Sequence, residues 1–543
     1  MRTVSRNLRI AATTSLWIAG LFGPVGRAAE TALPHLVTKD GRHALIVDGK
    51  PFLMLGAQSH NSSAWPAMLP QVWQAIESLH ANTLEIPIYW EQIEPQPGQF
   101  DFSLVDMLLE QAREHEVHLV LLWFATWKNG SNHYMPEWMK RDARKYPNIT
   151  GRDGRPVDSP SPHTRAAMEA DAKAFAVVMG HLKKADPQHT VLMVQVQNEP
   201  GSWGSVRDYS PVAQKSFEGP VPAELLRPEV LRALNRPADA KGTWQEVFGN
   251  DADEYFHAWS VARYIEHVAA AGKAVYPLPL YVNAALRDPL SNPRPSSYES
   301  GGPTDNVIPI WKAAAPSLDL LVPDIYLSGS ERVLKVLELY DRPDNPLFVP
   351  EIGSGPENTR YLYAVLAHGG IGFAPFGVDS GEAAPSGEGA VETRLAALAQ
   401  EYALAGPMMR ELAQWGFDGK LKAAIEREEH AEQTIDLGAW QMVVTFGASR
   451  GRRAQANAEP IGKALVAQLG ESEFIVVGTL CRITFRPMGA GTGKAWQYLK
   501  VEEGRYESGA FQLLRIRNGD ETDWGGPRFG SVPAVLRITL TTR

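Results

Sequence analysis

Between about residues 36 and 400, apolar runs alternate with segments of helical period, and this alternation leaves the chain few architectures to adopt. The runs fall at 53–59, 83–89, 118–125, 191–197, 279–285, 320–326, 346–352 and 371–378. Several are continuously apolar, as expected of strands covered by helices on one face and by a barrel interior on the other. Met68, Leu69, Val72, Ile76 and Leu79 line one helical face after the first run. Leu104, Val105, Leu108, Leu109 and Ala112 do so after the second, and Phe175, Val178, Met179 and Leu182 after the third. Apolar positions recurring at this spacing, between strand-like runs, are the pattern of βα units on a parallel sheet. Eight such units predict an α/β fold of the (β/α)8 TIM-barrel type. An open doubly wound sheet is disfavoured, because no glycine-rich phosphate loop follows the first run.

Past about residue 410 the texture changes. Short runs rich in β-branched and aromatic residues (440–446, 474–483, 511–516 and 534–541) are separated by Gly- and Asp-rich turns. They predict a C-terminal antiparallel β-sandwich domain. At the other end, Arg2, Arg6 and Arg9 precede a short apolar run at 10–22, and Gly26 and Ala28 form a plausible cleavage pair. That run is too short and too polar for a bilayer span, which takes ~20 apolar residues. The expected organisation is therefore a signal peptide at 1–28, a catalytic barrel at 29–405 and a β-rich domain at 406–543. An exported protein follows, periplasmic or extracellular, with no membrane span after cleavage.

Charge and residue usage narrow the chemistry. The net charge is −9 and no basic tract stands out, which argues against nucleic acid as a partner. A single cysteine, Cys481, leaves no internal disulfide and no cysteine zinc site. Histidines 60, 115, 118 and 133 lack His-Glu-x-x-His spacing, and Gly353-Ser354-Gly355 is too short for a nucleophile elbow. No metal or other cofactor is expected.

What remains is carboxylate chemistry. Cleaving a glycosidic bond takes one carboxyl to protonate the leaving oxygen and a second across the sugar ring; in retaining enzymes the second attacks the anomeric carbon from ~5–5.5 Å away. The run at 191–197 ends in Asn198-Glu199-Pro200, where the proline stops the ladder and leaves Glu199 at the C-terminal lip of the fourth strand. The seventh run delivers Glu351 in the same way, ahead of Gly353 and Gly355. Three βα units bring strand seven across the mouth from strand four. Glu199 is thus the candidate acid/base and Glu351 the candidate nucleophile. Asn198 is placed to donate to a sugar 2-OH. Glu85, Asp324 and Asp379 read as supporting acids. Tyr89, Trp127, Trp203 and Tyr326 crowd the expected mouth as candidate sugar platforms, whereas Trp90 and Trp123 read as core. The long connections at 126–163, 201–251 and 287–310 would lie on that same face.

These residues resemble a known family. The stretch Ile86-Pro-Ile-Tyr-Trp90-Glu-Gln-Ile-Glu94-Pro95-Gln-Pro-Gly98-Gln-Phe100-Asp-Phe102 is similar to the strand-two signature of glycoside hydrolase family 35 β-galactosidases, which have relatives in family 42. The stretch Gln195-Val-Gln-Asn198-Glu199-Pro-Gly-Ser-Trp-Gly204 resembles that family's acid/base motif, and Pro136-Glu-Trp138 a piece of its third loop. Pro87 and Glu91 stand where tyrosine and asparagine are usual, so the resemblance is to a divergent, bacterial branch. Glu91 joins the candidate substrate-binding residues. The resemblance covers the barrel and implies a retaining, exo-acting β-galactosidase acting on an oligosaccharide or polysaccharide. Two other readings stand beside it: an endo-acting β-glycanase of the same clan, and a non-catalytic carbohydrate-binding barrel.

Overall fold

The computed structural model describes residues 32–379, 390–447 and 457–543; the expected signal peptide at 1–28 lies outside them. Eight parallel strands close a barrel in sequence order: β1 (Met54–Gln58), β2 (Thr83–Tyr89), β3 (His118–Lys128), β4 (Val191–Asn198), β5 (Leu280–Ala285), β6 (Leu320–Ile325), β7 (Val349–Ile352) and β8 (Gly372–Pro375). Each corresponds to one of the eight apolar runs. Most ends agree to within a residue and β8 stops at Pro375 rather than 378; two differences have physical reasons. Strand β7 begins at Val349 rather than 346, and its pairing with β8 shifts register around Pro350, which has no N–H for the ladder. Strand β3 runs on to Lys128, so Trp127 and Lys128 are strand residues rather than loop residues.

Register fixes what meets at the C-terminal rim. Gln58 pairs with Glu85, Asp324 with Glu351, and Lys128 with Asn198. The β3–β4 register shifts between Trp123 and Lys128. At this bulge Gln197 (φ 67°) and Glu199 (φ 42°) take left-handed backbone conformations, uncommon for residues with a side chain. The 201–251 connection carries three short helices, Pro211–Phe217, Pro228–Ala233 and Trp244–Phe248. Its Leu225, Leu231, Trp244 and Phe248 are buried in the main core.

An antiparallel sheet missed in the sequence (His35–Lys39, Arg42–Val47, Lys50–Phe52) precedes the barrel and packs on the helix Met409–Phe417. Arg410 Nη1 ties the two by donating to the Val47 carbonyl at 2.9 Å.

The C-terminal strands are β9 (Leu421–Ile425), β10 (Gln433–Asp436), β11 (Trp440–Phe446), β12 (Lys463–Gln468), β13 (Glu473–Thr479), β14 (Cys481–Pro487), β15 (Trp496–Glu507), β16 (Ala510–Ile516), β17 (Arg528–Phe529) and β18 (Ala534–Thr542). They form a six-stranded sheet, β9-β12-β13-β18-β15-β16, and a four-stranded one, β10-β11-β14-β17, both antiparallel. The single run expected at 474–483 is two strands, broken at Leu480 (φ 50°).

Residue alternation in the six-stranded sheet explains its position. Leu465, Ala467, Ile475 and Val477 join the core of the barrel, while Ala464, Val466, Phe474 and Val476 join a second core with Met442, Val444, Ile483 and Phe485 of the other sheet. At ~1.5–3 kcal/mol for each fully buried large aliphatic side chain or Phe, both faces are held strongly. The sandwich is therefore seated on the barrel through one face of β12 and β13.

Candidate active site

The rim of the barrel gathers the two glutamates singled out in the sequence. Glu351, on β7, accepts from Gln58 Nε2 at 3.0 Å and Asn198 Nδ2 at 3.4 Å on one oxygen, and from the Tyr326 hydroxyl at 2.9 Å on the other. Donors from β1, β4 and the end of β6 thus fix its orientation. Glu199 follows β4 directly; its backbone N–H donates to Asn283 Oδ1 at 2.8 Å. Asn283 Nδ2 in turn donates to Asp324 Oδ2 at 2.6 Å. The Asp324 carboxyl is in hydrogen-bond contact with that of Glu199.

Asp324 is completely buried and pushed well above the carboxylate range by desolvation, then by the charges of Glu351 and Glu199. It is therefore the neutral partner, donating to Glu199. Burial also raises Glu199, and the Glu351 charge adds to this; Lys128 and the Asp324 hydrogen bond offset part of the rise, leaving it at about 7. A carboxyl poised there can give a proton and take it back near neutrality. Glu85, on β2, is raised well above its ordinary value by burial and accepts from the Tyr281 hydroxyl at 3.2 Å beneath the pair. Asp379 lies to one side, accepting from the His60 backbone N–H at 2.8 Å.

Asn198 is fixed on both sides, since its Oδ1 accepts from Lys128 Nζ at 2.7 Å. Tyr326 and Trp203 present exposed rings, 55% and 51%. Two expected platforms are not platforms. Tyr89 is buried, its hydroxyl donating to the Asn61 carbonyl at 2.7 Å and its ring stacked on Tyr134. Trp127 is completely buried, packed edge-on against Tyr264, because β3 continues through it. This corrects the expectation for both residues, as neither ring is open to a sugar. Glu91 lies outside this cluster, in an ion pair with Lys140 at 3.1 Å. Trp90 and Trp123 are core, as read.

Four participants went unread in the sequence. Lys128 and Asn283 are polar residues within or ending apolar runs, a signal that was available. Trp65 is half exposed, its ring roughly parallel to that of Tyr89. Glu299, from the connection after β5, is completely buried and raised well above its ordinary value by desolvation and by the Glu199 charge. Nothing in a loop sequence marks it.

Residues 60–271 match the glycoside hydrolase 42 family model, described as beta-galactosidase, and residues 398–526 match a domain of unknown function, DUF5597. Over 173 residues the chain is 29% identical to a beta-galactosidase of Xanthomonas manihotis, covering 30% of this chain and 26% of that one. Over 67 residues it is 36% identical to beta-galactosidase 11 of Arabidopsis thaliana, covering 12% of this chain and 8% of that one. The chain thus spans about a quarter or less of the curated relatives it matches. A crystal structure of a beta-galactosidase from Rahnella sp. R3 aligns at 16% identity with a TM-score of 0.48, over 70% of this chain and 58% of that one. The barrel is thus similar over residues 60–271 to β-galactosidase-type glycoside hydrolases. The family model it matches is 42, rather than the family 35 that the motifs suggested.

Proposed function

We propose that the protein is a retaining, exo-acting β-galactosidase working by double displacement on terminal β-galactosides of oligosaccharides or polysaccharides. The observation that carries this reading is the pair of glutamates on facing strands. Glu351 is held as an acceptor by three donors, and Glu199 is poised at about 7 by burial beside the Glu351 charge. In the first step the Glu351 carboxylate attacks the anomeric carbon while Glu199 gives its proton to the departing glycosidic oxygen. Esterified Glu351 no longer carries charge, so the Glu199 carboxyl falls in pKa and accepts a proton from water. That water attacks the anomeric carbon, expels Glu351 and restores Glu199 to its acid form. Asn198, between Lys128 and Glu351, is placed to bond the sugar 2-OH.

Galactose is the sugar named in the similar proteins, and it enters here as the leading substrate. A panel of nitrophenyl glycosides, with the product anomer followed by NMR, tests the reading. β-Galactoside cleavage releasing the β-anomer first is expected. Initial release of the α-anomer, or a clear preference for internal cleavage of a polysaccharide, would contradict it.

A further inference from the structure

We infer that Trp203 and Glu299 form a leaving-group subsite, in which the Trp203 indole stacks on the sugar that departs and Glu299 holds that indole in place. The inference rests on the glycosidase reading above and names a part of the substrate that reading leaves open.

The two residues come from connections far apart in sequence that are pinned together. Ser202 and Ser300 exchange backbone hydrogen bonds, Ser202 N–H to Ser300 O at 2.8 Å and Ser300 N–H to Ser202 O at 3.1 Å. Trp203 and Glu299 flank this bridge. Ser202 is buried and held again through its hydroxyl, which donates to the Ser205 carbonyl at 2.8 Å and contacts His257 Nε2 at 3.1 Å. An exposed tryptophan on a free loop would be a passive surface feature. Trp203 instead adjoins a residue held by two backbone and two side-chain hydrogen bonds.

Glu299 occupies a notch that two glycines keep open. A Cβ on Gly130 (φ +71°) would lie 2.5 Å from Glu299 Oε1 and 3.3 Å from Trp203 Cδ1. A Cβ on Gly201 would lie 2.9 Å from Glu299 Cγ and 2.7 Å from the Ser300 carbonyl oxygen. Gly130 also donates its N–H to the Glu199 carbonyl at 3.0 Å, so the notch abuts the backbone of the proton donor. Among the described residues neither Glu299 oxygen has a hydrogen bond of normal geometry, and the group turned toward them is the Trp203 indole. A buried carboxyl this sparsely paired is expensive to retain as packing alone.

Position decides which part of a substrate this wall meets. The glycosidic oxygen must lie against Glu199 to receive its proton, and the leaving group continues beyond it, away from Glu351. Gly130, which walls the notch beside Glu299, is bonded to the Glu199 backbone, and Glu299 feels the Glu199 charge. The Trp203–Glu299 wall is therefore on the proton donor's side. Its half-exposed indole offers a flat apolar surface suited to the C–H face of a second hexopyranose.

The test compares a β-linked galactose disaccharide with β-galactosyl fluoride, whose leaving group has no ring to stack. In Trp203→Ala the ratio of kcat/KM for the disaccharide to that for the fluoride should fall at least tenfold; Trp203→Phe should lose less. Glu299→Ala should lower the same ratio, and Glu299→Gln, which fills the notch and keeps an acceptor for the indole, should recover most of it. A ratio unmoved by Trp203→Ala, a surface change that leaves the core intact, overturns the subsite. Equal losses in Glu299→Ala and Glu299→Gln overturn the positioning role. Failure of the wild-type protein to cleave either compound would remove the glycosidase reading, and the subsite with it.

Discussion

At the scale of single residues, the site depends on where protons sit. With Glu199 at about 7, kcat/KM should decline on the alkaline side from about pH 7 as the acid form is lost. The same shift acts on stability. Because Glu199 holds its proton more tightly when folded than at its ordinary value of 4.5, ionisation opposes folding. That cost is absent below about pH 4.5 and complete above about 7. Glu199→Gln should therefore raise the melting temperature at pH 8 and leave it little changed at pH 4, read by calorimetry at both. A gain confined to acid would contradict the assignment. Asp324 provides a sharper comparison. A neutral Asp324 is closely mimicked by asparagine, which can accept from Asn283 and donate to Glu199. Asp324→Asn should thus keep much more kcat than Asp324→Ala and move the alkaline limb by less than ~0.5 unit, whereas losing an ionised neighbour would move it by ~1 unit or more.

At the scale of elements, the strained end of β4 needs support, and the helix Arg165–Ala185 provides it from behind the barrel. Asp171 on that helix is completely buried and accepts from Trp123 Nε1 at 2.9 Å, Thr126 Oγ1 at 2.6 Å and Gln197 Nε2 at 2.7 Å. Gln197 Oε1 accepts the Trp127 backbone N–H at 2.9 Å. One carboxylate thus steadies both strands at the bulge that aims Asn198 and Glu199. Asp171→Ala should destabilise the protein by ~2–3 kcal/mol, as expected when buried donors lose their acceptor. It should also lower kcat more than it raises KM; steady-state kinetics with wild-type stability and kcat would refute this support role. The elements show what a sequence can disclose. Eight apolar runs were legible because strands covered on both faces need apolar side chains throughout. The paired glutamates were legible because Asn-Glu-Pro and Val-Pro-Glu end such runs. Trp127 misled because a bulge carried β3 past its apolar run, and Asp171 and Glu299 stayed silent because their partners come from distant segments. Strands β9, β10, β12, β15 and β17 escaped notice; in β15 buried, half-buried and exposed positions are mixed without a clean alternation.

At the scale of the whole molecule, the sandwich acts as a structural partner of the barrel, bound by an apolar face and a buried polar junction. Lys463 Nζ lies 3.0 Å from Glu401 Oε1, and the Tyr363 and Thr479 hydroxyls donate to the same carboxylate at 2.8 and 3.0 Å. Removing one member of a buried ion pair strands the other, at ~3–5 kcal/mol. Lys463→Met should therefore lower the melting temperature in one cooperative transition while KM holds; two separate melting steps in the wild type would show that the sandwich and barrel are energetically independent. The central claim, that Glu351 attacks the sugar while Glu199 supplies the proton, has its most direct test in trapping. Incubation with 2,4-dinitrophenyl 2-deoxy-2-fluoro-β-galactoside, proteolysis and mass spectrometry should place one fluorogalactosyl ester on the peptide carrying Glu351. Label on any other carboxyl, or a protein inactivated without covalent label, would contradict it.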